Sequence, residues 1–93
     1  MIKTFANSET ESFFKTGKSR RWQKEILKRA TMRLNQLDAA VDVLDLRMPP
    51  SNQLEQLYHD RIGQWSIRIN KQWRICFRFE NGNAYDVEIV DYH

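Results

Sequence analysis

Cysteine is nearly absent from the sequence, which contains one, Cys76, among 93 residues. A single cysteine excludes an internal disulfide framework, and its place in a predicted strand argues against a lone nucleophile. No apolar run approaches the roughly 18 residues of a membrane span, and no charged-then-apolar leader is present. We therefore expect a protein of the reducing cytoplasm that has no membrane association.

Glycine and histidine are also scarce. The three glycines are isolated, so the sequence has no phosphate-binding glycine loop and no nucleophile elbow. The two histidines, His59 and His93, lie far apart, and no cysteine spacing suggests a zinc site. The sequence thus predicts neither a metal site nor a cofactor, and most standard enzyme classes are unsupported.

The length and composition indicate one globular domain, residues 1–93, with 41% hydrophobic and 29% charged residues. The net charge is only +3, but basic residues concentrate between Lys18 and Arg33, where Glu25 is the one acid. Such a surplus favours a polyanion as partner, because lysine and arginine neutralise phosphates and release counterions. A solvated helix face explains the same charges, and charge alone does not decide between them.

Two helices are predicted in the first half of the chain. Ser8 and Glu11 have the capping-box spacing, which predicts a short helix that begins near Ser8 and ends at Gly17. Ser19 is a plausible cap for a second, longer helix. Its apolar residues recur every three to five positions between residues 22 and 37, with Lys24 and Lys28 off that stripe.

Alternating residues predict the strands. Residues 65–69 and 73–79 alternate apolar side chains with polar or charged ones, which include Arg74. Asn81-Gly82 is a hairpin-turn pair, and the last strand spans residues 85–90 with Tyr85 on its apolar face. Residues 1–5 and 54–58 are predicted as further strands.

The predicted order is therefore β-α-α-β-β-β. It indicates an α+β domain in which two N-terminal helices pack on one face of a twisted, mainly antiparallel sheet of four to five strands, leaving the other face open.

The predicted open face combines exposed arginines, among them Arg74, with an acid, a phenol and an imidazole at Asp91, Tyr92 and His93. This set suits RNA cleavage through the substrate's own 2′-hydroxyl, which needs proton transfer and a fixed cation but no metal. His93 could give or take a proton, and Asp91 could orient His93 or act as the general base. Tyr92 could stack on a nucleobase or donate a proton, and Arg74 could hold the phosphate. Solvated arginines, a packed Tyr92 and a disordered His93 are the alternatives.

Several segments resemble the HigB family of killer toxins, in the RelE-like superfamily. They are WSIRIN and QWRICFRF in residues 65–79 and VDYH at the end, and the likeness extends to residues 1–5, 47–50 and 63–65. The resemblance covers nearly the whole chain. It implies a metal-independent mRNA endonuclease toxin of a type II toxin–antitoxin system, which cleaves mRNA in the ribosomal (30S) A site and inhibits translation. It also implies a HigA-like helix-turn-helix antitoxin, through whose complex the toxin contacts operator DNA.

The resemblance implies site residues too. The family's transition-state arginine falls on Arg74, and its C-terminal acid, tyrosine and histidine fall on Asp91, Tyr92 and His93. Where some members have an upstream histidine, this chain has Glu55, so a second acid or base would be Glu55 or His59; we favour the C-terminal cluster. The predicted RNA- or ribosome-binding residues are basic: Arg61, Arg68, Lys71, Arg78, Lys24 and Lys28.

Two alternatives remain for the function. The open sheet face could serve a non-catalytic RNA- or partner-binding module, or the chain could be a degenerate toxin.

Overall fold

The computed structural model describes residues 1–91. Helices α1 (Ser8–Thr16) and α2 (Lys24–Ala39) precede strands β1 (Glu55–Gln56), β2 (Trp65–Arg68), β3 (Trp73–Glu80) and β4 (Asn83–Asp91). The strands pair antiparallel in the order β1-β2-β3-β4. The α+β prediction, with two helices against a mainly antiparallel sheet, is confirmed. In residues 1–91 no helix has the length and apolar character needed to cross a membrane.

Both predicted helices are present, but both caps are wrong. The α1 cap is Asn7, whose Oδ1 accepts from the Thr10 amide at 2.9 Å, so Ser8 is already the first helical residue. Ser19 caps a turn before α2, because its Oγ accepts from the Arg21 and Trp22 amides at 3.0 and 3.3 Å. The predicted end of α1 is confirmed, since Gly17 is left-handed (φ 73°) and its amide bonds Phe13 O at 2.7 Å.

The core lies between the helices and one face of the sheet. Phe13 of α1 and Leu34 and Leu37 of α2 are buried against Ile75 and Phe77 of β3. Trp22 is buried as predicted but precedes α2, and its ring meets Trp73 edge-on at 6.5 Å. This packing fixes which face of the sheet the helices cover.

The predicted first strand, residues 1–5, is not a regular strand. Ile2 and Phe5 form isolated parallel bridges with Ala84 and Val87, on the outer edge of β4. Pairing is interrupted between these bridges, where the amide of Asp86 bonds the Thr4 hydroxyl at 2.8 Å instead of a backbone carbonyl. The predicted strand at residues 54–58 is likewise shortened to β1.

A β-bulge on β4 overturns the predicted side of Tyr85. Between the pairs Arg78–Tyr85 and Cys76–Glu88, β4 has one residue more than β3, and Asp86 is left-handed (φ 53°). The extra residue reverses the alternation, so Tyr85 lies on the face of Arg78 rather than on the core face.

The connection between α2 and the sheet covers part of the face opposite the helices. It contains 3₁₀ turns at Val43–Arg47, Pro50–Asn52 and His59–Arg61. Ser66 and Cys76 lie on that face and are fully buried. The sheet face opposite the helices is therefore less open than predicted.

Candidate active site on the sheet face

Arg74 is a buried cation at the centre of the sheet face opposite the helices. Only 6% of its surface is exposed, although the sequence predicts an exposed side chain. Its Nε donates to Ser66 Oγ on β2 at 2.8 Å, and its Nη2 donates to Gln53 O at 2.6 Å. These two bonds fix the plane of the guanidinium.

Gln53 takes an unfavourable backbone conformation to make this contact. It is left-handed (φ 44°) and follows the Pro50–Asn52 turn. Non-glycine residues in this region are strained, and such strain concentrates at functional sites. The loop is thus shaped so that a carbonyl oxygen reaches Arg74.

Glu55 supplies a carboxylate beside this guanidinium. Its Oε2 lies 3.5 Å from Arg74 Nη2, and its side chain is 50% exposed. The two residues come from β1 and β3, which β2 brings together. A fixed cation beside a solvent-accessible carboxylate can stabilise negative charge and transfer a proton.

The C-terminal cluster is described only in part. The register pairs Asp91 with Trp73 and Arg74 with Val90, so Asp91 belongs to the sheet face opposite that of Arg74. Asp91 Oδ2 accepts from Gln72 Nε2 at 3.0 Å. Tyr92 and His93 lie outside the described residues.

Two predicted RNA-binding arginines are paired with acids on the same sheet. Arg61 Nη1 lies 2.8 Å from Glu88 Oε1. Arg78 lies 2.8 Å from both Asp86 Oδ2 and Glu80 Oε1, and its Cζ sits 5.5 Å from the centre of the Tyr85 ring. Their charges are largely neutralised by these carboxylates.

The other predicted RNA-binding residues are differently placed. Lys24 and Lys28 are exposed on α2, as the helical pattern predicts, and Lys71 is exposed in the β2–β3 turn. Arg68 on β2 lies opposite Arg74 on β3 in the antiparallel strand pairing, and its Nε donates to Asn70 O at 3.0 Å. Lys28, Arg68 and Lys71 thus lie near the end of the sheet where β2 meets β3.

His59 lies in a groove of about 440 Å³ that Glu55 and Arg61 also line. It is exposed and left-handed (φ 59°). Within the described part of the chain, no hydrogen bond joins His59 to Arg74, so of the two candidates for a second acid or base only Glu55 contacts the arginine.

Comparison with known proteins decides the family. The model for the RelE-like toxin HigB of type II toxin–antitoxin systems matches residues 3–93. The chain belongs to the HigB-like toxin family.

HigB relatives are similar over nearly their full length. Endoribonuclease HigB of Proteus vulgaris is 34% identical over 93 residues, covering 100% of both chains. Toxin HigB-1 of Vibrio cholerae is 38% identical over 85 residues, covering 90% of each chain. Family membership and the predicted resemblance therefore agree.

Solved RelE-like structures share the HigB-like fold despite low identity. The YoeB–YefM complex of Staphylococcus aureus matches with a TM-score of 0.62 at 16% identity, over 100% of this chain and 98% of the matched chain. YafQ of E. coli matches with a TM-score of 0.57 at 11% identity, over 98% of this chain and 93% of the matched chain. At these identities the likeness concerns the fold alone.

Sequence reasoning missed the two residues that hold the guanidinium of this HigB-like toxin. Ser66 is detectable in principle, because strand alternation places it on the arginine face. Gln53 contributes a backbone oxygen, and no side-chain pattern signals that contact. Its left-handed conformation depends on the fold of the preceding loop.

Proposed function

We propose that this HigB-like toxin is an endoribonuclease that cleaves mRNA in the ribosomal A site without a metal ion. The observation that carries the proposal is the buried Arg74 guanidinium, held by Ser66 and Gln53 beside the Glu55 carboxylate. Its relative from Proteus vulgaris bears the name endoribonuclease. The action takes place in the cytoplasm, where ribosomes are.

The reaction uses the 2′-hydroxyl of the substrate as nucleophile. A base removes the 2′ proton, the 2′ oxygen attacks the adjacent phosphorus, and the bond from phosphorus to the 5′ oxygen breaks. An acid protonates the departing 5′ oxygen, so the products are a 2′,3′-cyclic phosphate and a 5′-hydroxyl. The protein must supply two proton-transfer groups and a cation for the pentavalent phosphate.

Arg74 is the proposed cation. Because Ser66 and Gln53 fix its guanidinium, the charge is oriented before the phosphate arrives, and little reorganisation is needed during the reaction. Glu55 is the nearby proton-transfer candidate. Tyr92 and His93 are proposed to complete the acid and base pair, as the family resemblance implies. Asp91 is not given this role, because the strand register places it on the sheet face opposite that of Arg74.

Ribosome dependence is consistent with the modest charge. A net charge of +3 provides a weak general attraction to nucleic acid, whereas a ribosome can supply the docking geometry. The proposed antitoxin partner is a HigA-like helix-turn-helix protein, and contact with operator DNA is proposed to occur only through the antitoxin complex.

The test compares the wild type with His93→Ala, each expressed without antitoxin, by mapping mRNA 5′ ends. In-frame cuts with the wild type and none with His93→Ala support the proposal. Growth arrest by both proteins with intact mRNA would contradict it and favour a non-catalytic binding module. Absence of growth arrest despite a folded wild-type protein would indicate a degenerate toxin.

A further inference from the structure

A basic hollow of about 500 Å³ lies between α2, residues 49–51 and the β2–β3 turn. Its polar lining is contributed by six residues: Arg29, Arg33, Ser51, Arg68, Asn70 and Lys71. Among the described residues that line it, none is an aspartate or glutamate. Four cations therefore face one concave surface without an acid between them.

Neutral acceptors hold the arginines in this hollow. Arg33 Nε donates to Arg68 O at 3.0 Å, and Arg33 Nη2 donates to Ser51 Oγ at 3.3 Å. Arg29 Nη1 donates to Ile69 O at 3.3 Å. These bonds orient the guanidinium groups but leave their positive charge uncompensated, in contrast to Arg61 with its carboxylate partner.

Concentrating these charges is unfavourable in the absence of an anion. Arg33 is only 7% exposed. Burial, and secondly the charge of Arg29, lower the pKa of Arg33 below its ordinary value. An adjoining hollow of about 470 Å³, which Arg29 also lines, differs because it contains the carboxylate of Glu25. The uncompensated charge is thus concentrated at the hollow that contains Arg33.

We propose that the basic hollow binds a backbone phosphate of the substrate RNA strand, next to the phosphate at Arg74. Oriented guanidinium groups match the oxygens of a phosphate. Arg68 lines the hollow and stands opposite Arg74 in the β2–β3 register, so their Cβ atoms are about 5 Å apart. The hollow therefore borders the Arg74 site. The choice of RNA as ligand rests on the proposed function.

The experiment removes charge from the hollow without removing Arg33, which supports the loop. Arg29→Gln/Lys71→Gln changes two exposed residues, and Lys3→Gln/Arg47→Gln is a control with the same loss of one lysine and one arginine. Equal urea midpoints establish that both variants are folded. The probe is a short single-stranded RNA with a 2′-O-methyl group on every ribose, so that no 2′-hydroxyl can attack, and its Kd is measured against salt concentration.

For Arg29→Gln/Lys71→Gln we expect the slope of the logarithm of the RNA association constant against the logarithm of salt concentration to become shallower by about 0.7. This is the contribution of one phosphate of a single strand. We also expect the Kd at low salt to rise about tenfold, with a rise of less than threefold for the control. Equal slopes for the two variants, or no salt-dependent RNA binding by the wild type, would overturn the inference.

A second arm uses vacant ribosomes to distinguish the source of the phosphate. Weaker binding to ribosomes with unchanged RNA binding would overturn the assignment to the substrate strand and indicate ribosomal RNA. Because the RNA probe cannot be cleaved, a failure of the proposed nuclease activity leaves the slope measurement interpretable. Conversely, normal mRNA cleavage together with equal salt slopes for the two variants would rule out the hollow as a phosphate site and leave the nuclease proposal intact.

Discussion

Arg74 shows how a residue of a candidate site can also be part of the packed fold. A buried guanidinium is tolerated only when fixed acceptors replace its hydration, and here Ser66 Oγ and Gln53 O do so. The sequence-based expectation that the Arg74 side chain is exposed is therefore wrong. Removal of the side chain would leave the Ser66 hydroxyl and the Gln53 carbonyl without this donor.

Arg74→Lys separates charge from geometry, because lysine keeps the cation but lacks the planar fork. We expect single-turnover mRNA cleavage on ribosomes to fall by about 10²–10³, as when one oxyanion donor is lost. The free energy of unfolding should fall by about 1–3 kcal/mol, measured with urea. Arg47→Lys, at an exposed position, is the control. Cleavage within about twofold of wild type would be inconsistent with the assigned role, since tenfold represents about 1.4 kcal/mol of barrier.

Cys76 is a second residue whose environment determines its chemistry. It is fully buried on β3, and burial raises the pKa of its thiol to about 11, with smaller influences from Arg61 and Glu88. The reactive thiolate is therefore rare near neutral pH. This agrees with the sequence-based interpretation that Cys76 is not a nucleophile.

The raised pKa predicts a loss of stability at alkaline pH. The thiol of the unfolded chain has a pKa near 9.0, whereas that of the folded protein is about 11. The stability that the protonated thiol contributes is therefore complete below pH 9 and is lost as the pH rises to about 11. We expect wild type to lose about 2–3 kcal/mol more than Cys76→Ala across this range, as two pKa units correspond to about 2.7 kcal/mol. Urea unfolding at pH 8.5 and 11 measures the difference. Parallel pH profiles for the two proteins would rule out this linkage.

At the scale of elements, local patterns predicted helices and strands better than their ends. The periodicity of α2 and the alternation of β2 and β3 reflect burial of one face, which a sequence carries directly. The bulge at Asp86 is different, because it depends on how β4 pairs with β3 and with residues 1–6. One inserted residue moved Tyr85 to the other face, a shift that alternation alone does not reveal.

The cap of α1 offers a direct test at the element scale. Asn7→Ala should lower the free energy of unfolding by about 1 kcal/mol, because the Thr10 amide loses its side-chain acceptor. Ser8→Ala should change it by less than about 0.5 kcal/mol, the usual range for an exposed surface site. Both values come from urea unfolding curves. A larger loss of unfolding free energy for Ser8→Ala than for Asn7→Ala would contradict Asn7 as the cap and support the capping box predicted from the sequence.

At the scale of the whole molecule, the charge is unevenly distributed. Arg61 and Arg78 are neutralised by acids on the sheet, whereas Lys24 and Lys28 are exposed on α2. The sequence predicted the exposed helix face but could not predict the ion pairs, because the partners meet only after the sheet forms. The surface available to a polyanion is thus narrower than the arginine count suggests.

Charge reversal on α2 tests whether its basic face contributes to association. Lys24→Glu/Lys28→Glu should weaken ribosome or antitoxin binding, with a loss that shrinks as salt rises, because salt screens exposed charges. Binding titrations at several salt concentrations provide the measurement, with Lys3→Glu/Lys15→Glu as a charge-matched control. A loss of binding affinity that does not depend on salt would contradict an electrostatic role in association and leave these lysines a role in solubility.

The candidate site was predictable in its chemistry but not in its construction. Arg74 could be identified because strand alternation and the family resemblance agree on it. Its burial, its bonds to Ser66 and Gln53, and its approach to Glu55 result from the loop that folds across the sheet. Loop conformations such as the left-handed Gln53 depend on distant contacts, so a local pattern does not encode them.

Replacement of the substrate's nucleophile tests the central claim most directly. Ribosomes programmed with an mRNA that has one 2′-deoxynucleotide at the mapped cut site should resist the wild-type toxin at that site. The matched all-ribose mRNA should be cut there, leaving a 2′,3′-cyclic phosphate and a 5′-hydroxyl, because the 2′ oxygen displaces the 5′ oxygen. Equal cleavage of the two mRNAs, or products with a 3′-hydroxyl and a 5′-phosphate, would contradict the account.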